Sequence, residues 1–155
     1  MNMQWIYKPF GLLTADELYA ILRLRNMVFI VEQQCVYLDA DNKDQASHHL
    51  CGWNNQELIA YARILPPGIA FPEASIGRVL THLGHRKQGS GKQLMEKAIE
   101  LCLQLYSTHN IRIGAQLYLA EFYKNLGFIR EGDIYLEDGI EHIEMTFTLL
   151  NKIIQ

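Results

Sequence analysis

Two glycines set in a basic run form the part of this sequence with the clearest chemical use. Arg86, Lys87, Gln88, Gly89, Ser90, Gly91 and Lys92 stand between a strand-like run and a helix-like run. Glycines at such a junction let the backbone turn sharply and approach a ligand closely, and the N–H groups of a helix start can then hold a phosphate or pyrophosphate. Arg86, Lys87 and Lys92 add positive charge to that site. The plainer alternative is an ordinary helix-entry turn with solvated lysines. Two phosphate motifs are excluded. A kinase-type loop needs Gly-Lys-Ser/Thr five residues after its first glycine, but Gly84 leads to Gly89 and Ser90; a dinucleotide fingerprint needs glycine where Leu94 stands.

The remaining reactive side chains give less specific signals. Asp39, Asp41 and Asp44 are read either as a solvated surface run or as carboxylates that draw in a cationic amine. They do not make a calcium loop, because Lys43 takes a ligand position and Asp44 replaces the glycine of the turn. His48 and His49 are adjacent and point to opposite faces of a strand, so no metal is expected. Cys35, Cys51 and Cys102 form no C-x-x-C pair and read as reduced, mostly structural thiols. Tyr123 on a short helix is, taken alone, a packing residue.

The elements that must position these groups follow from periodicity and breakers. A strand at Trp5 to Lys8 stops at Pro9, and Thr14 with Glu17 has the form of a capping box. The helix it opens carries Leu18, Ile21 and Leu22, with Val28 and Phe29 continuing the stripe until Phe29, Ile30 and Val31 argue against a further helical turn. Residues 32–47 read as a loop with an apolar anchor. Strands are expected at His48 to Trp53, Glu57 to Leu65 and Ser75 to Thr81, with the Asn54-Asn55 turn between the first two. A strongly amphipathic helix over Gly89 to Leu105 presents Leu94, Met95, Ala98, Ile99, Cys102 and Leu105 on one face. Ile111 to Leu117 reads as a buried strand and Ala120 to Leu126 as a short helix ending at Gly127. Asp138-Gly139 joins two last strands. The order implies an α/β (α+β) domain: antiparallel strands, a strand–helix–strand crossover, and a closing hairpin.

Composition narrows the classes. At 155 residues, 49% hydrophobic and 20% charged, the chain fits one domain over 1–155 with a sizeable core. A net charge of -3 supplies no field for gripping nucleic acid. No run reaches the roughly 18 apolar residues of a membrane span, and Met1 to Trp5 has no signal-like pattern, so a cytoplasmic protein is expected.

Arg86, Gly89 and Gly91 after a mid-chain strand resemble the acyl-CoA pyrophosphate loop of the GNAT superfamily of N-acyltransferases. Phe122, Tyr123, Gly127 and Phe128 resemble its F-Y-x-x-x-G-F motif. Arg25, Val28, Phe29, Glu32, Gln33, Cys35, Tyr37, Asp39 and Asp41 narrow the resemblance to the ElaA-type subfamily, together with Ala60 to Arg63, Gly77 to Val79 and Asp138 to Ile143. The resemblance implies the GNAT fold, with a mixed, mostly antiparallel central sheet flanked by helices. The N-terminal third is also faintly similar to acyl-homoserine-lactone synthases.

The activity implied is acetyl-CoA-dependent acetylation of a primary amine on a small molecule or peptide. Alternatives are a catalytically silent acyl-CoA-binding module, or an acyltransferase related to the lactone synthases. Acetyl-CoA is the expected co-substrate. It and an amine acceptor are the expected partners, without nucleic acid or membrane and with a homodimer left open. The resemblance implies a cofactor site of Val79, Leu80 or Thr81, whose backbone polarises the carbonyl, the turn Arg86, Lys87, Gln88, Gly89, Ser90, Gly91 and Lys92, and Gln116 and Tyr123. Gln116 stands where an asparagine is usual. The chemistry also needs an acid for the thiolate, taken as Tyr123, and a base for the ammonium, with Glu32 ranked before His142. Each has a plainer reading: Glu32 pairs with Arg25, Arg63 or Arg78, or His142 is merely hydrogen-bonded in a strand. The acceptor pocket is expected at Glu32, Asp39 and Asp41 with Arg63, Arg78 and His142 opposite, a mixture suited to an amino acid or peptide end.

Overall fold

The computed structural model describes residues 2–150; Met1 and residues 151–155, the ends of the expected 1–155 domain, lie outside the described residues. Strand β1 (Gln4–Pro9) leads into helix α1 (Ala15–Arg25). Thr14 caps α1 as its spacing predicts: its Oγ1 accepts from the Glu17 N–H at 3.1 Å while Glu17 takes the Thr14 N–H at 2.9 Å. The helix does not stop at Phe29. It widens into a π-helical stretch, Asn26–Glu32, with Gln33 N–H bonding to Val28 O at 3.1 Å. β-branched residues disfavour helix only weakly, and burial of Val28 beside Ile21 and Leu24 outweighs that preference. The loop that follows contains one further 3-10 turn, Asp44–Ala46.

Strands β2 (His48–Asn54), β3 (Glu57–Leu65) and β4 (Ser75–Thr81) complete an antiparallel sheet in the order β1-β2-β3-β4. Asn55 adopts a left-handed φ of 55° in the β2–β3 turn, a conformation asparagine tolerates well. Helix α2 (Ser90–Leu105) then crosses to β5 (Asn110–Gln116). Short helix α3 (Ala120–Asn125) precedes β6 (Phe128–Glu137) and β7 (Ile140–Thr148), and these three strands form a second sheet in the order β5-β7-β6. Asp138 and Gly139 both have positive φ, 50° and 78°, as a two-residue hairpin turn with right-handed strand twist demands.

Strand β3 is buried on both faces, which explains its almost unbroken apolar run. Ala60, Ala62 and Ile64 meet Leu94, Met95, Ala98 and Cys102 of α2, while Tyr61 and Leu58 meet Ile21, Leu24 and Val28. Each aliphatic side chain fully buried this way stabilises the fold by about 1.5–3 kcal/mol. Burial also pushes the thiols of Cys51 and Cys102 up to about 12, so both are inert packing groups.

The two sheets touch through β4 and β5 at one end only. Ala74 and Ile111 form a parallel bridge, with Arg112 N–H on Ala74 O at 3.0 Å. Beyond it no ladder joins the two strands, and a cleft lined by residues of both opens between them.

Candidate active site

The cleft has a volume of about 1060 Å³ and is lined from β4 by Val79, Leu80 and Thr81 and from β5 by Ile113, Gly114 and Gln116. Its β4 wall is irregular. Arg63 pairs with Gly77 and Tyr61 with Leu80, so Arg78 and Val79 together face the single residue Ala62. This bulge puts Arg78 at φ 51°, a strained value for a long side chain, and turns the backbone of residues 78–80 out of the ladder beside the cleft.

At the cleft's open end β4 runs into the basic glycine turn. Gly89, at φ 77°, is the N-cap of α2 and supplies no side-chain cap, so the first N–H groups of the helix are not taken up by a capping side chain. A Cβ placed on Gly89 or Gly91 would meet no protein atom within 4 Å. The fold's own packing therefore leaves open space where the backbone is bare. Gly91 and Arg86 line the cleft, whereas Lys87, Gln88, Gly89, Ser90 and Lys92 are not part of that wall. Ser90 is buried, with its Oγ on His85 O at 3.2 Å.

Arg86 and Glu32 are not independent groups. Expected as a phosphate ligand and as the first-ranked base, they form a two-pronged ion pair, one prong being Arg86 Nη2 to Glu32 Oε2 at 2.7 Å. Hydrogen bonding to Glu32 raises the Arg86 pKa. None of Arg25, Arg63 and Arg78, the partners weighed for Glu32, contacts it. The neighbouring Gln33 joins Gln116 in a reciprocal amide pair, both contacts at 3.3 Å. The π-helical exit thus straps the mouth of the cleft from the glycine turn to β5.

Tyr123 projects from α3 and is only 6% exposed. Its ring packs against Phe122 and Phe128 at 5.2 and 5.9 Å, and its hydroxyl has no hydrogen-bond partner among the described residues, although Tyr123 lines the cleft. Burial, with Tyr118 adding to it, pushes the phenol well above its ordinary pKa. It therefore keeps its proton at neutral pH. Gly127, which ends α3 at φ 105°, leaves room for Phe147; a Cβ there would come within 3.1 Å of that ring.

His142 lies on β7 in a row with Gln116 of β5 and Tyr135 of β6. Its Nδ1 is 2.7 Å from Ile140 O. A carbonyl only accepts, so Nδ1 carries a proton, and Nε2 is the nitrogen that presents a lone pair whenever the ring is neutral. Nε2 lies 3.4 Å from Glu137 Oε2. Neither Glu137 nor Tyr135 stands out in the sequence, because nothing local connects them to His142.

Of the expected acceptor set, Asp41, Arg63 and Arg78 line the cleft beside Glu32 and His142, and Asp39 does not. These two aspartates and two arginines are also paired with one another, and with Arg25 and Asp44 they make a cluster of three guanidiniums and three carboxylates. Arg25, fully buried, binds Asp39 Oδ2 at 2.8 Å and Asp44 Oδ1 at 2.7 Å. Arg63 clamps Asp41 at 2.7 and 2.8 Å, and Arg78 holds Asp39 Oδ1 at 2.8 Å. Burial opposes ionisation of Asp41 and Asp44, but the arginine hydrogen bonds outweigh it and hold both carboxyls below their usual range. His49 backs the cluster: its Nε2–H donates to Asp44 O at 2.9 Å and its Nδ1 accepts from Tyr61 OH at 2.8 Å. Burial first of all lowers its pKa and keeps it neutral. The spaced aspartates and the arginines at 25, 63 and 78 carry this signal in the sequence, but the matching of charges does not show there.

Glu57, His82 and His85 bring ligand atoms within 4.8 Å of one another outside the cleft. His82 Nδ1 accepts the Gly84 N–H at 3.1 Å, so its proton sits on Nε2, the nitrogen facing Glu57. That arrangement suits a histidine–carboxylate contact better than a metal ligand set. No helix among the described residues is long and apolar enough to cross a membrane.

Comparison with known proteins places this geometry in a family. Residues 23–149 match the family model described as an acetyltransferase (GNAT) domain. A UPF0039 protein of Synechocystis is 43% identical over 148 residues, which span 95% of this chain and 96% of that protein. Among solved structures, an acyl-CoA N-acyltransferase from Pseudomonas aeruginosa superposes with a TM-score of 0.90 at 39% identity, covering 95% of this chain and 100% of the other. Escherichia coli ElaA does so with a TM-score of 0.88 at 39% identity, covering 94% and 99%. With the splayed β4 and β5, the bare glycine turn at the head of α2 and Tyr123 on the cleft wall, the chain belongs to the GNAT acetyltransferase family and has its acyl-CoA N-acyltransferase fold.

Proposed function

We propose that the protein transfers an acetyl group from acetyl-CoA to a primary amine by direct attack of the amine on the thioester. The observation that carries this reading is the cleft itself, open between two splayed strands and lined by a phenol with no hydrogen-bond partner among the described residues and by Gly91 of a helix start that no side chain caps. The pyrophosphate would lie on the N–H groups of residues 89–92, and the thioester would lie along the β4 bulge, where a backbone N–H from Val79, Leu80 or Thr81 stabilises the oxyanion. The amine nitrogen forms a bond to the carbonyl carbon as the carbon–sulfur bond breaks. Tyr123 gives its proton to the departing sulfur. His142 Nε2 takes the ammonium proton, a role better suited to a cleft-lining imidazole whose other nitrogen is tied to Ile140 O than to Glu32, whose carboxylate is occupied by Arg86.

The test is release of coenzyme A thiol across a panel of peptide N-termini, lysine peptides and polyamines. Amine-dependent thiol release that disappears in Tyr123→Phe supports the reading. A protein that is thermally stabilised by acetyl-CoA but releases no thiol with any amine is instead a silent binding module.

A further inference from the structure

We infer that the acceptor enters as a primary ammonium held between Glu137 and His142, with no carboxylate required of it. This rests on the acetyltransferase reading above and names the acceptor chemistry of that same site. An imidazole nitrogen and a carboxylate oxygen of the cleft wall face each other here. His142 is 8% exposed, its Nδ1–H is committed to Ile140 O, and its Nε2 lies 3.4 Å from Glu137 Oε2. With the ring neutral these are two acceptors side by side, which a group carrying more than one N–H satisfies together.

An R–NH3+ group has the right shape and charge. It donates one N–H to Nε2 and a second to Oε2, and points its third hydrogen away. The ring of Tyr135, 5.7 Å from His142, gives the site a flat wall that also attracts a cation. Gly114 makes that wall possible, since a Cβ there would come within 2.7 Å of the Tyr135 hydroxyl oxygen. The turn that bears Glu137 is tied to the strap across the cleft by Cys35 Sγ–H on Asp138 O at 3.3 Å.

The surrounding charges favour the same ligand. Asp138 lines the cleft beside Glu137, and Glu144 on the same face of β7 is paired with Arg112 at 3.0 Å. On the far wall Arg63 and Arg78 are matched by Asp41 and Asp39, and Lys43 comes from the loop that carries Asp41. The arginines expected to recognise an acceptor carboxylate are therefore occupied. After binding, transfer of one N–H proton to Nε2 leaves an imidazolium beside Glu137 and a neutral amine aimed at the thioester. The proton count balances, and no other reagent is needed.

The probe is butylammonium, followed through the His142 ring signals by NMR with and without coenzyme A; the signals are assigned by their loss in His142→Gln. Butylammonium should move them saturably, 1-butanol should not, and Glu137→Gln should weaken the apparent affinity about three- to tenfold. Glu137 is 60% exposed, so the variant folds normally. No saturable shift in the parent, an equal shift with 1-butanol, or an unchanged affinity in Glu137→Gln would overturn the inference. Thiol release separates the two levels. If amines release coenzyme A but Glu137→Gln leaves their KM unchanged, the ammonium site is wrong and the transferase reading stands. If butylammonium binds as expected and no amine releases thiol, the transferase reading falls and the site stands.

Discussion

Two sets of ion pairs at the cleft differ in how far they have left water. The cluster of Arg25, Arg63 and Arg78 with Asp39, Asp41 and Asp44 is largely buried, charge-balanced and supported by backbone carbonyls. The Arg86–Glu32 pair stands at the rim, about a third exposed on each side. Buried charges tolerate no change of partner, because an orphaned one has neither water nor a counter-charge. Rim charges exchange partners at small cost. The first set therefore acts as a scaffold: it binds the end of α1, the acidic loop, β3 and the strained Arg78 bulge into one unit. The second can open to a phosphate.

The contrast is sharpest in Asp39→Ala. That substitution takes a carboxylate from Arg25 and Arg78 at once and leaves the cluster with three guanidiniums against two carboxylates, and the expected cost is about 3–5 kcal/mol in urea unfolding. The melting temperature should fall by about 6–20 °C for a chain of this size. A loss below about 1 kcal/mol would mean that the cluster is no more than a surface network.

At the cleft, Tyr123→Phe should reverse the pattern. It keeps the ring packing, so stability and acetyl-CoA affinity stay near the parent while kcat falls about 10–1000-fold. Unchanged kcat with weakened acetyl-CoA binding would make Tyr123 a binding residue. Changing both Gly89 and Gly91 to Val should abolish the thermal shift caused by acetyl-CoA, since added side chains occupy the open space over the helix start.

Acid should act on the buried set with a definite sign. Asp41 and Asp44 have folded pKa values below their unfolded ones, so they contribute stability above an unfolded value near 3.9, and that stability is lost as pH falls below it. Acid unfolding should steepen below about pH 4. In a variant with Asp41 and Asp44 both changed to Asn the stability should depend less on pH in that range, from a lower plateau. The smallest effect belongs to Glu32→Gln. The rim pair should contribute less than about 1 kcal/mol to stability, and freeing Arg86 should tighten acetyl-CoA binding severalfold. Weaker binding would show that Glu32 positions Arg86 rather than competing with the cofactor for it.

The sequence by itself determined whatever depends on neighbours along the chain. The capping box of Thr14 and Glu17, the apolar face of α2, the Asp138-Gly139 turn and the bare turn at Gly89 are local matters of φ, period and hydrogen bonds three or four residues apart. They were enough for the fold class. The tertiary structure alone decided the partners of the charges. Arg86 finds Glu32 across 54 residues of sequence, and Arg78 finds Asp39 across 39. A charge carries no address in the sequence, because its energy depends on distance and on the water removed around it, and both are set only when the elements pack. The same holds for the π-helical exit of α1, which local propensity argued against and core burial of Val28 imposed, and for His142. Its Nδ1 carries a proton only because Ile140 O lies within 2.7 Å, and its other nitrogen meets Glu137 only because β6 and β7 pair.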